Sequence, residues 1–346
     1  MINTSAKLQK NIFDSSKMEQ VPTRNGYGIG VVEAGEKNKN VVVLCADLTE
    51  STRTIEFKKR FPERFIQMGV HEQLLAALAA GMALEGKIPY ITSYAMFCPG
   101  RAWEMIRTNI CLNDVNVKII GSHAGVSVGP DGATHQAIED IAIMRPIPNI
   151  TIVAPCDAIE ARKTTLALLD VPGPCYARFA REKTPVFTTE ETPFEIGKAE
   201  IFREGSDVSL VACGPLVYNA LQAARELEKE GLDVEVVNSH TIKPLDEETI
   251  IRSVQKCGAV VTVEEHQVVG GLGGAVAECL GKTAPVFIER VGIQNQFGQS
   301  GTPAELIEHY GIGVNSIKNA LKKVLAKKNS LSSAVKNISP SAKNAG

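Results

Sequence analysis

The chain has 346 residues, 44% of them hydrophobic and 22% charged, and a formal net charge of −2. At about 150 residues per domain that length implies two folded units, and the composition excludes disorder as the main state. The longest apolar runs, Val41–Ala46 and Leu74–Ala80, fall well short of the roughly 18 residues a membrane span needs, and no apolar stretch follows the polar start as a signal peptide would, so no membrane association and a cytoplasmic location are expected.

The first 20 residues are polar and aperiodic, and read as an arm that orders only against something else. From residue 40 onward, short β-branched runs at Val41–Cys45, Ile88–Thr92, Val117–Gly121, Ile150–Ala154 and Cys175–Arg178 read as strands. Helical spacing fills the gaps at Glu72–Leu84, Arg101–Cys111, Gln136–Met144 and Ala158–Leu169. Repeated strand–helix units of this kind make a mostly parallel sheet with helices on both faces. The rhythm breaks at Thr184–Lys198, which carries two prolines and no apolar period. A second α/β series follows, with strands Val208–Cys213, Val234–Asn238, Ala259–Glu264 and Val286–Arg290 alternating with helices Leu216–Glu230, Glu247–Gln255 and Gly274–Leu280. The expected layout is an arm at 1–20, a first domain at 21–185, a linker at 186–198, a second domain at 199–326 and a basic, disordered tail at 327–346.

The last 38 residues hold seven lysines and no acid. Lys318, Lys322 and Lys323 fit the polar face of a terminal helix, and with Trp103 the lone tryptophan there is no basic–aromatic interleaving. No nucleic-acid partner is therefore expected. The eight cysteines contain no pair at two-residue spacing, Cys98 and Cys111 being nearest at thirteen apart. They read as small buried hydrophobes rather than as zinc ligands or a redox pair.

In an open parallel sheet, ligands bind outside the carboxyl ends of the strands. Asp47, Tyr94 with Phe97, Ser122 with His123, and Arg178 with Arg181 follow successive predicted strands. Any one of them could be a turn former or a helix cap; several together point to a site. The segment GSHAGVSVGPDGATH, Gly121–His135, is glycine-rich and poor in apolar residues, and its His123, Asp131 and His135 suit a sugar or phosphate. A metal site is the competing reading, without a helical histidine pair to support it. Glu72 opens an apolar helix: it either complements the helix dipole in solvent or is desolvated and shares a proton with a ligand nitrogen. The diglycine stretch at 269–274 resembles a phosphate cradle, but lacks the dinucleotide spacing and reads better as a tight strand-to-helix turn.

Taken together, these segments resemble the pyrimidine-binding and C-terminal domains of transketolase over about residues 20 to 325. The resemblance rests on Asp47-Leu48-Thr49, Gly69-Val70-His71-Glu72-Gln73, the block from His123 through Asp131-Gly132-Ala133-Thr134-His135-Gln136, Arg145-Pro146-Ile147-Pro148-Asn149 and Phe297-Gly298-Gln299-Ser300-Gly301. It implies thiamine diphosphate as cofactor and transfer of a two-carbon ketol unit from a ketose phosphate to an aldose phosphate. It implies that Glu72 hydrogen-bonds the aminopyrimidine ring and that Phe97 and Tyr94 stack on it, with Asp47 beside the cofactor. It implies that His135 contacts the reacting end of the sugar, that Asp131 binds a substrate hydroxyl, and that Arg24, Ser51, His123 and Arg181 hold the sugar phosphate.

The sequence departs from the single-chain pattern at His71, Gln73, Ala124 and Gly100. It also lacks a Gly-Asp-Gly motif with a following Asn, the part that holds the diphosphate and its Mg²⁺ or Ca²⁺. The resemblance therefore implies the C-terminal subunit of a split transketolase, with metal ligands on a separate N-terminal diphosphate-binding subunit and an α2β2 heterotetramer. The rival enzyme readings are a 1-deoxy-xylulose-5-phosphate synthase and the β subunit of a 2-oxo acid dehydrogenase. The non-enzyme reading is a noncatalytic binding or regulatory homologue.

Overall fold

The computed structural model describes residues 1–338. In chain order the strands are β1 Gln20–Val21, β2 Val41–Cys45, β3 Phe65–Gln67, β4 Ile88–Tyr94, β5 Lys118–Ser122, β6 Thr151–Val153, β7 Cys175–Arg178, β8 Thr184–Pro185, β9 Glu200–Arg203, β10 Val208–Ala212, β11 Val234–Asn238, β12 Thr241–Lys243, β13 Ala259–Gln267 and β14 Phe287–Ile293. The helices are α1 Thr23–Lys37, α2 Ile55–Arg60, α3 Glu72–Leu84, α4 Trp103–Met105, α5 Asp140–Met144, α6 Ala158–Ala167, α7 Leu216–Glu228, α8 Glu247–Cys257, α9 Leu272–Thr283, α10 Pro303–His309 and α11 Val314–Ile338.

The first domain is built on a sheet in the order β12-β6-β7-β5-β4-β2-β3, parallel except for β12. Alternation along β2 explains its continuous apolar run: Val41 and Val43 face the core under α1 and α6, whereas Val42 and Leu44 face the core under α3. The second sheet runs β14-β13-β10-β11-β9, with only β9 antiparallel. Both domains are thus mostly parallel sheets with helices on their faces.

Helix α1 was not legible in the sequence, because Gly26, Gly28, Gly30 and Gly35 depress helix propensity. Packing explains it: a Cβ on Gly26 would lie 2.0 Å from the Ala158 carbonyl oxygen of α6 and one on Gly30 2.7 Å from Thr165 Cβ, so these two glycines let the helices approach closely, while Gly28 and Gly35 make room for Arg53 and for Phe57 and Phe61. The expected helix from Gln136 begins only at Asp140, since the preceding residues are held by the loop before them.

Three features differ from or extend the expected layout. The arm is ordered against the linker and the second domain: Gln9 N–H donates to Phe187 O at 2.9 Å and Asn3 N–H to Phe202 O at 3.0 Å, while Ala6, Ile12 and Met18 enter the second core. Strand β12, in the stretch assigned to the second domain, instead extends the first sheet, pairing antiparallel with β6. The tail expected from 327 is helical to Ile338, continuing α11; Lys328 Nζ donates to the carbonyls of Asp207 and Cys257, anchoring the helix where disorder was expected. Residues 339–346 of that expected tail lie outside the described residues. Lysines 318, 322, 323 and 327 pair with Glu226, Glu230 and Glu289 of the same domain. All eight cysteines are unpaired and buried. Among the described residues no helix is long and apolar enough to cross a membrane.

Candidate active site

The carboxyl edge of the first sheet gathers the candidate residues. Glu72 is the first residue of α3 and is 1% exposed. Such burial of a carboxylate needs compensating donors. Ser93 Oγ, at the end of β4, donates to Oε1 at 3.3 Å, and Arg101 pairs with Oε2 at 3.1 Å. The solvated, dipole-complementing reading of Glu72 is thereby excluded. Beside it opens a pocket of about 450 Å³ lined by Val70, Gln73, Leu74 and Met105, with Glu72 and Arg101. The Arg101 guanidinium also lies over the Phe97 ring, 5.3 Å from its centroid, so one side chain joins the carboxylate to an aromatic face.

A cationic cluster lies across the same edge. The imidazole of His123, in left-handed backbone with φ 57°, stacks on Tyr94 at 3.8 Å between centroids. Its Nε2 meets Arg24 Nη1 at 3.0 Å, and its Nδ1 meets Ser122 Oγ at 2.9 Å. Burial first, then the charges of Arg24 and Arg181, push His123 down to about 2, so the ring is neutral at working pH. Burial and the neighbouring Arg53 and Arg181 lower Arg24 as well. Like charges held this close, with Arg24 Nε buried and lacking a partner, form a site that an anion would relieve. Ser51 takes part through its carbonyl oxygen, which accepts from Arg24 at 2.8 Å. Arg181 donates to Val128 O at 2.5 Å and so anchors the glycine-rich loop.

That loop is covered except near its tip, where Asp131 is exposed. His135 is half-buried, 5.3 Å from the Phe97 ring and edge-on to it, with Nδ1 2.9 Å from Thr134 Oγ1. Phe97 thus touches both ends of the site. Asp47 is exposed, with φ 59°, and accepts from Gln67 Nε2 at 3.1 Å. Tyr94 has one ring face covered by His123.

Residues 19–186 match the family description "Transketolase, pyrimidine binding domain", and residues 197–317 match "Transketolase, C-terminal domain". A Methanocaldococcus jannaschii protein named as a transketolase C-terminal section is 44% identical over 307 residues, covering 88% of this chain and 96% of that one. The chain belongs to the transketolase family. A 6-deoxy-6-sulfo-D-fructose transketolase subunit from a Clostridium species is 39% identical over 313 residues, covering 90% and 97%. A split-gene transketolase solved as an inactive β4 tetramer superposes with a TM-score of 0.84 at 44% identity, covering 89% of this chain and 99% of that one.

The transketolase family implies thiamine diphosphate, and the residues present fit its pyrimidine end: a buried carboxylate at the wall of an open pocket, with an aromatic ring linked to it by Arg101. Among the described residues there is no group of three His, Cys, Asp or Glu side chains able to hold a metal ion. Sequence reasoning missed Arg101 and Ser93, whose partners lie 29 and 21 residues away. Only a strand-end position marked Ser93, and nothing local marked Arg101. Arg178, grouped with the strand-end candidates, is a packing residue: buried, it donates to Asp140 at 2.8 Å and to the Ala137 and Glu265 carbonyls. The diglycine turn cradles no phosphate, since Glu264 accepts from Leu272 N–H and Gly273 N–H at 2.7 and 2.8 Å and fills the start of α9.

Proposed function

We propose that this chain is the C-terminal subunit of a split, thiamine-diphosphate-dependent transketolase, moving a two-carbon ketol unit from a ketose phosphate to an aldose phosphate. The supporting observation is that a buried carboxylate and a cationic cluster share one sheet edge, joined through Phe97 and His135. Bound thiamine diphosphate supplies the electron sink for carbon–carbon bond cleavage. Glu72 holds a proton at the pyrimidine ring nitrogen, with Ser93 and Arg101 fixing its two oxygens. Phe97, Tyr94 and Asp47 line the cofactor. Arg24 and Arg181 hold the sugar's terminal anion, Arg offering a planar fork to it, while neutral His123 and the Ser51 carbonyl accept from Arg24 and fix its direction. Asp131 binds a sugar hydroxyl and His135 the reacting end.

The same reading assigns the diphosphate and its Mg²⁺ or Ca²⁺ to a separate N-terminal subunit, in a cytoplasmic α2β2 assembly. In this reading the first domain is 21–185 with β12 added to its sheet, and the second runs from 199 through α11, past the expected limit of 326. The test is ketol transfer from xylulose 5-phosphate to ribose 5-phosphate with thiamine diphosphate and Mg²⁺. It is run with this chain alone, with its candidate partner, and with Glu72→Ala plus partner; activity is expected in the second mixture only. A stable but inactive complex would favour the synthase or dehydrogenase alternative, and absence of any complex the binding-protein one. Because a relative is named for a sulfosugar, 6-deoxy-6-sulfo-D-fructose is the informative second donor: preference for it would keep the chemistry and change the terminal anion from phosphate to sulfonate.

A further inference from the structure

The second domain contributes nothing to the mechanism above, yet the segment bearing Asp131 and His135 rests on it. The loop from Gly125 to Gln136 carries one short 3-10 segment at Val126–Asp131, broken by a kink at Gly129, and three glycines, so much of its order must come from outside. Four attachments supply it. Glu265, on β13 and 4% exposed, accepts from Ser127 N–H at 2.6 Å. Gly125 lies so close to that carboxyl, at φ 86°, that a Cβ there would sit 2.3 Å from Glu265 Cδ. Gln136 Nε2 is shared among the loop carbonyls of Val126 and Gly129 and the carbonyl of Gln299 in the second domain, at 3.0, 3.2 and 3.0 Å. A Cβ on Gly298 would fall 1.7 Å from Gln136 Oε1. The 297–299 segment is itself steadied by Tyr310, whose hydroxyl donates to Phe297 O at 3.0 Å.

A carboxylate buried this deeply is costly unless its bonds matter, and an apolar side chain would fill the same space at less cost. Its accepted bond here goes to the backbone of the substrate loop. We propose that the second domain sets the shape of the sugar site: Glu265 and Gly298 are positioning residues that hold the 125–136 loop so that Asp131 and His135 meet the substrate. The role of the loop in binding sugar rests on the function proposed above.

The test pairs amide hydrogen exchange of the full-length chain with kinetics of the reconstituted enzyme. Glu265→Ala and Gly298→Ala are each expected to speed exchange across 125–136 by about tenfold or more, leaving the β2–β5 core protected. Glu265→Gln stays near wild type, since an amide oxygen accepts the same bond. In the reconstituted enzyme the first two raise the KM for both sugar phosphates by about tenfold, while the thiamine diphosphate concentration for half-activity is unchanged. A domain that merely stabilises the fold would move both constants, which overturns the proposal. Unchanged exchange in Gly298→Ala overturns it too, and that variant serves if Glu265→Ala does not fold. Faster exchange with unchanged sugar KM also overturns it. If wild type shows no ketol transfer, the proposed reaction fails instead, and exchange alone decides whether the second domain orders the loop.

Discussion

The two parallel sheets end their strands in opposite ways. At the first, Glu72, Phe97, Arg24 and Arg181 meet beside a pocket or an uncompensated cluster of charge. At the second, Asn238, His240, Glu264, Glu265 and His266 are all buried, and most of their polar atoms are used within the chain. Glu264 closes the start of α9, Asn238 Nδ2 donates to Glu160 Oε1 at 2.6 Å, and His266 Nδ1 lies 2.7 Å from Gln267 O. A polar strand end is therefore a candidate site where a pocket or a cluster of like charge stays open beside it; where the fold closes over the same residue types they serve packing, even with Asn238 Oδ1 and His240 Nε2 left without a partner.

The contrast is broken most directly by exchanging its two carboxylates. Glu72→Ala is expected to lower turnover by about 10³-fold with assembly intact, the scale of lost proton transfer. Glu264→Ala should leave turnover within about twofold but lower the thermal midpoint. Turnover that follows Glu264 and not Glu72 would reverse the assignment of the two edges.

Next in size, Arg24→Ala or Arg181→Ala should raise the KM for a phosphorylated acceptor about 10- to 100-fold and spare an unphosphorylated one, because charge-assisted bonds contribute about 1.5–3 kcal/mol. Equal losses on both acceptors would remove these arginines from anion binding.

Behind the second edge, burial pushes Glu160 up from 4.5 to about 7. Its folded-state proton affinity exceeds that of the unfolded chain, so its contribution is fully present below pH 4.5 and lost as pH rises toward 7. Glu160→Gln should thus gain up to about 2–3 kcal/mol over wild type at pH 8 and match it near pH 4, read by denaturant unfolding. Parallel profiles for the two proteins would contradict this.

The smallest effect separates two histidines. Burial holds His123 down to about 2 and His240 down to about 3. The unfolded chain takes up these protons below about pH 6.5 while the folded chain does not, so stability falls as pH drops, by about 1 kcal/mol per histidine at pH 5.5. A sugar phosphate bound at Arg24 and Arg181 should raise the titration midpoint of His123, followed by NMR, and leave His240 unmoved. A shift at both would mean that the ligand acts globally.

Much of the architecture was legible because buried parallel strands are rich in apolar and β-branched residues, as at β2 and β10, and alternate along the chain with segments of helical spacing. Glycine hid α1, whose helical state depends on closeness to α6 rather than on propensity. Among the site candidates, Glu72, His123 and Arg181 were marked by their places at strand ends or helix starts. Arg101 was not, because an arginine in a helical stretch looks alike whether it faces solvent or a carboxylate.

By itself the sequence determined two α/β units, the edge at which polar residues collect and the residue types available there, since periodicity and strand-end position are local properties of the chain. Tertiary structure alone decided which of those groups stay open: that Arg101 meets Glu72, that Arg178 is spent on Asp140, and that Glu265 reaches the 125–136 loop from 138 residues away. The physical reason is that desolvation and hydrogen-bond satisfaction depend on what the fold brings within about 3 Å, and those partners come from distant parts of the chain.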